Sequence, residues 1–145
     1  MKNTHIIFTI FLATLFVTSC STSYNDIDPD HSAVIGFTSP DLEISVSESN
    51  PEKNRPLPYF VSDVSSSDRT FHIIIIEEET ELFEESYLFE STIVIPANER
   101  SGQIILTARN NATLTNEYAP LVLAIEESPG VVSGNRVLIL IKTTD

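Results

Sequence analysis

Apolar and polar residues alternate without a break through Leu42-Glu43-Ile44-Ser45-Val46-Ser47. A period of two lays one side of a strand on a core and leaves the other side wet. Apolar or alternating runs recur at residues 59–64, 71–76, 91–95, 103–108, 121–125 and 137–141, and residues 33–37 add a candidate edge strand. Turn-forming stretches separate them, notably Asp63-Val64-Ser65-Ser66-Ser67-Asp68 and the Pro-, Gly- and Ser-rich residues 128–135. Seven or eight short strands, punctuated in this way and with no helical period between them, predict an all-β fold, a sandwich of antiparallel strands.

Ile73-Ile74-Ile75-Ile76 is apolar at every position. Such a run predicts a central strand covered on each side, and it is also an aggregation hazard. Glu77-Glu78-Glu79 follows at once and acts as a charged gatekeeper against edge-to-edge pairing. The wider acidic stretch, residues 77–85, is a second candidate, for a cation or a partner.

The start of the chain has a different pattern. Lys2 precedes an apolar stretch from Ile6 to Val17 that only Thr9 and Thr14 interrupt, and small residues follow. That is the layout of a secretory signal peptide, and the stretch is shorter than the roughly 20 residues a spanning helix needs. Val17-Thr18-Ser19-Cys20 resembles the bacterial lipobox, and Cys20 is the chain's one cysteine. The resemblance implies that Cys20 becomes the first mature residue, with diacylglycerol on its sulfur and usually a further acyl chain, such as palmitate, on its amino group. Two or three chains anchor firmly, at roughly 0.8 kcal/mol per buried methylene. A polar segment with Asp26, Asp28 and Asp30 follows as a tether. Its acidic residues resemble the surface-export signal of Bacteroidota lipoproteins. The expected organisation is a signal peptide at 1–19, lipidated cysteine and tether at 20–32, and one β-domain at 33–145.

Charge narrows the partners. The 145-residue chain has 8 basic and 21 acidic side chains, a formal charge of −13, and loss of residues 1–19 removes only Lys2 from that balance, leaving −14 over 126 residues. Such a surface repels phosphate backbones and excludes nucleic acid as a partner. With one cysteine, internal disulfides cannot stabilise the domain.

Ser91-Thr92-Ile93-Val94-Ile95-Pro96-Ala97-Asn98-Glu99-Arg100-Ser101-Gly102-Gln103-Ile104 resembles the strand, "IPAGE-x-SG" turn and strand that mark Calx-β domains. The likeness runs from about Val34 to Lys142 and implies an immunoglobulin-like sandwich. Asn98 stands where the family prefers glycine, a place expected to need positive φ, which asparagine tolerates better than most side chains. Many Calx-β domains bind Ca²⁺ at one end through acidic side chains. The resemblance carries that role to Glu48 and Glu117, while the family's paired aspartates fall on Asn110 and Asn111 and a further aspartate on Ser86. Ca²⁺ takes about six to eight oxygens and its affinity follows ligand charge, so this set reads as depleted.

Catalytic chemistry has little to work with. His72 is the one histidine within the predicted domain, and the sequence has no G-x-S-x-G, H-E-x-x-H, C-x-x-C or glycine-rich phosphate motif. The expected function is a lipid-anchored, noncatalytic interaction or adhesion module, or an accessory subunit, of a bacterial cell envelope, in the outer membrane and exposed at the surface. The alternative is a glycan-binding lipoprotein of a polysaccharide-uptake system. Without Trp, its aromatic platform would come from Tyr59, Phe60, Tyr87, Phe89 or Tyr118.

Overall fold

The computed structural model describes residues 32–145. The signal peptide, Cys20 and nearly all of the tether lie outside the described residues. Ten strands follow one another: β1 (Ala33–Phe37), β2 (Asp41–Val46), β3 (Glu52–Val61), β4 (Arg69–Ile75), β5 (Tyr87–Leu88), β6 (Thr92–Ile95), β7 (Ser101–Arg109), β8 (Ala119–Ile125), β9 (Val131–Ser133) and β10 (Val137–Thr143). They form two five-stranded sheets, ordered β5-β7-β3-β1-β9 and β2-β10-β8-β4-β6.

The period-two pattern decides which side chains meet between the sheets. Ile35 and Phe37 from β1, Leu57, Tyr59 and Val61 from β3 and Leu106 and Ala108 from β7 face Ile44, Val46, Leu121, Leu123, Ile139 and Ile141 of the second sheet, in one buried cluster. Each such side chain contributes roughly 1.5–3 kcal/mol by leaving water. Their polar neighbours in sequence remain wet, as with Asp41 and Glu43 on β2. Tyr59 reaches across β7, where its ring and hydroxyl lie against Gly102 and leave no space for a Cβ. Burial raises its phenol pKa above 10.0.

Three features differ from the sequence reading. Residues 33–37 are an interior strand, held between β3 on one side and β9 on the other. The sheets are not wholly antiparallel, since β1 pairs in parallel with β9 and β10 in parallel with β2. The run that is buried at every position is Leu121–Ile125 in β8, whereas Ile74 in the isoleucine run is 40% exposed. The reason is alternation: β4 keeps a period of two, with Phe71 and Ile73 on the core and Thr70, His72 and Ile74 on the solvent face. Glu77–Glu79 then form a single 3-10 turn beside β8, and Glu79 pairs with Arg136.

The turn between β6 and β7 has the expected backbone. Asn98 is the one described non-glycine residue with positive φ, at 66°, and the Glu99 N–H closes the turn on the Pro96 carbonyl at 3.0 Å. The loop after β3 secures it: the Ser65 carbonyl accepts from the Asn98 N–H at 2.8 Å, and Asp68 Oδ1 accepts from the Ala97 N–H at 2.8 Å. A β-branched side chain in this left-handed conformation costs about 1–2 kcal/mol. Asn98→Val is therefore expected to lower the urea midpoint by that equivalent with the slope unchanged, and Asn98→Gly to leave it close to the parent value.

Candidate functional site

Four segments converge at one end of the sandwich: the β2–β3 turn, the 3-10 turn Glu84–Ser86, the β7–β8 loop and the last residues of the chain. The residues matched to calcium ligands all lie on them. Asp145, which the sequence reading did not single out, organises one half. Its Oδ2 accepts from the Glu48 N–H at 2.6 Å, from Asn110 Nδ2 at 3.0 Å and from Thr143 Oγ1 at 3.0 Å. Distance along the chain hid it, because two of the three donors, Glu48 and Asn110, come from segments remote in sequence.

The other half is neutral. Ser86 is fully buried and accepts from Asn111 Nδ2 at 2.9 Å, while Asn111 Oδ1 accepts from the Thr113 N–H at 2.8 Å and from its hydroxyl. Asn111 thus uses both ends of its amide on protein partners. Glu117 is on the same loop with its backbone N–H bonded to Thr115 Oγ1 and its side chain exposed. Among the described residues, no three His, Cys, Asp or Glu side chains stand together as metal ligands. A hydroxyl and an amide bonded to each other, with a second amide held on Asp145, are a poor match for a dication that must recover its hydration energy from charged oxygens. The residues present do not fit Ca²⁺. Adding millimolar Ca²⁺ or EDTA is expected to leave the thermal midpoint unchanged, and a calcium-dependent rise would contradict this description.

The second place of interest is on the outer face of the first sheet. Gly36 of β1 stands directly across from Phe60 of β3, which in turn stands across from Ser101 of β7. A groove of about 450 Å³ opens beside the Phe60 ring, lined by Val34, Thr38, Phe60, Ser62, Gly134 and Asn135 among others. The glycine is required by close packing, because a Cβ on Gly36 would come within 2.5 Å of the Asn135 nitrogen. Phe60 is 39% exposed, and the Arg100 guanidinium carbon lies 5.2 Å from its centroid, in cation–π range.

The other aromatic candidates are less free. Tyr59 and Tyr87 belong to the core. Tyr87 also stacks on Phe89 at 6.1 Å, and burial, with a smaller contribution from Glu84, raises its pKa. Tyr118 has Lys142 Nζ 4.4 Å from its centroid and donates its hydroxyl to Glu43. His72 is exposed, with Nδ1 3.3 Å from Thr92 Oγ1 and no carboxylate bonded to it among the described residues.

No protein-family model matches the chain, and no curated protein matches it. Solved structures do. A candidate carbohydrate-binding protein of Bacteroides ovatus aligns over 74% of this chain and 36% of its own, with a TM-score of 0.59 and 16% identity. A Bacteroides ovatus protein of unknown function aligns over 75% of this chain and 44% of its own, with a TM-score of 0.61 and 16% identity. The chain thus spans less than half the length of these two proteins. The apo CBD1 domain of Calx is covered over its whole length by 79% of this chain, with a TM-score of 0.55 and 12% identity. At such identities the likeness concerns architecture, and the two sheets described above have the Calx-β-like sandwich fold.

Proposed function

We propose that the protein is a lipid-anchored, noncatalytic interaction module of a bacterial cell envelope, held at Cys20 and presenting its sandwich to a partner. The observation that supports the interaction role is on the outer face of the first sheet. Each of its five strands contributes one large exposed apolar side chain: Leu88, Ile105, Phe60, Val34 and Val132. In register Leu88 lies near Ile105, and Phe60 near Val34 and Val132, so the five form two clusters on one solvent face, and clustered exposed apolar side chains mark binding surfaces. The lipobox resemblance at Cys20 supports the anchor. Crosslinking on intact cells followed by purification tests the role. Wild-type protein is expected to recover a specific protein or glycan that Ile105→Glu loses; recovery of nothing above control would count against the reading.

A second reading, glycan binding, is favoured by the groove beside Phe60. It joins a half-exposed ring to hydroxyl and amide groups, the combination that holds a sugar by stacking and hydrogen bonds. The architectural likeness to a candidate carbohydrate-binding protein points the same way. Binding on a glycan array that disappears in Phe60→Ala, with the fold intact, would support it, and a blank array would remove it.

A further inference from the structure

The groove is distinguished by its charge. Although the chain has 21 acidic residues, none lines the concavity at Phe60, whereas Glu77 or Glu84 lines each of two smaller ones near Tyr87. Arg69, Arg109 and Arg136 are each paired with a carboxylate. Arg100, beside the groove, forms no ion pair among the described residues and is exposed, with its guanidinium above the ring that lines the groove. The side-chain amide of Asn135, at the opposite wall, likewise has no hydrogen bond among the described residues, although its backbone carbonyl accepts from the Phe37 N–H. An unpaired guanidinium is a planar fork that matches a carboxylate with two parallel N–H···O bonds. A neutral sugar would leave that fork unused.

Resting on the reading of this groove as a glycan site, we propose that its ligand is a uronate-bearing glycan. The acidic sugar stacks on Phe60, its carboxylate binds Arg100, and its ring hydroxyls bond to the Asn135 amide. The groove between Phe60 and the 134–135 segment provides the space for the pyranose. No other charged group competes, because the lining residues are uncharged.

Titration calorimetry with oligomers of galacturonate, glucuronate and mannuronate, each compared with its carboxyl-reduced neutral form, tests the proposal. At least one acidic oligomer is expected to bind about tenfold or more tightly than its reduced form, the scale of a hydrogen bond to a charged group. Arg100→Gln is expected to bring the two forms within about twofold while the neutral form still binds, and Phe60→Ala to abolish both. Unchanged thermal midpoints in both exposed-site variants separate loss of binding from loss of fold. Equal affinity for acidic and reduced forms would overturn the carboxylate inference and leave the glycan reading standing. Binding to none of the oligomers would overturn both. Binding to a glutamate-rich peptide as tight as to the best oligomer would overturn the assignment to a sugar.

Discussion

Ile139→Ala is expected to destabilise the domain by about 2–5 kcal/mol, a large part of the roughly 5–15 kcal/mol that holds a domain of this size folded. Ile139 is fully buried in β10, which lies between β2 and β8 and pairs with both. Removing its outer carbons leaves a cavity walled by side chains of both sheets, which their neighbours prevent from collapsing. Ile105→Ala is the matched control. Ile105 has the same chemistry but points outward from β7 at 46% exposure, so its loss should fall within about 0.5 kcal/mol. Urea denaturation of the two variants measures the contrast. Equal losses would mean that the two side chains are equally buried, which would contradict the assignment of inward and outward faces.

Gly36→Val is expected to affect both stability and binding. Its new Cβ would meet the Asn135 nitrogen at 2.5 Å and the Asn135 carbonyl oxygen at 3.0 Å, backbone atoms that a rotamer change cannot move. The 134–135 segment must shift away, which strains the bonds from the Phe37 N–H to the Asn135 carbonyl and from the Gly134 N–H to the Ile35 carbonyl. Overpacking of this kind costs about 1–3 kcal/mol. Gly134 and Asn135 line the groove, so their displacement would also reshape the site beside the Phe60 ring. The variant is thus expected to lose stability and any groove ligand together, whereas Phe60→Ala loses the ligand alone. A stable Gly36→Val that still binds would show that the ligand sits elsewhere.

The contrast between strong and weak parts of the sequence reading follows from where the information resides. β2, β8 and β10 were legible because each has a complete period or an unbroken apolar run. The first half of β3 was not. Glu52 to Pro58 contains three charges and two prolines, yet it pairs along β7. The prolines are tolerated because β1 pairs with β3 only from Tyr59 to Val61, so the earlier part of the strand is an open edge on that side. β9 was hidden for a different reason. Val131–Ser133 sits within a stretch of turn residues and becomes a strand only because β1 lies alongside it in parallel, a contact between residues nearly one hundred positions apart. The same limit applied to the candidate sites. The loop positions of Ser86, Asn110 and Asn111 could be read from the turn motif and its spacing, and the positive φ of Asn98 from its place in that turn. Their long-range hydrogen-bond partners could not, since Asp145 meets Asn110, and Ser86 meets Asn111, only through the folded topology.

The groove was invisible for the same reason. Phe60 was one of five aromatic candidates, and what separates it from the others is Gly36 across the sheet and Arg100 above the ring. Neither is near it in the sequence pattern that predicts a strand. Outward-facing residues are the ones that alternation assigns to solvent without further distinction.

The claim on which the account depends is that this sandwich is held at the envelope through Cys20. Metabolic labelling with palmitate in a Bacteroidota host, comparing the full-length chain with Cys20→Ala and adding protease to intact cells, tests it most directly. The account predicts label and membrane retention for the wild type, both lost in Cys20→Ala, with protease removing the wild-type protein from the cell surface. A wild-type chain without label, or label that survives in Cys20→Ala, would contradict it.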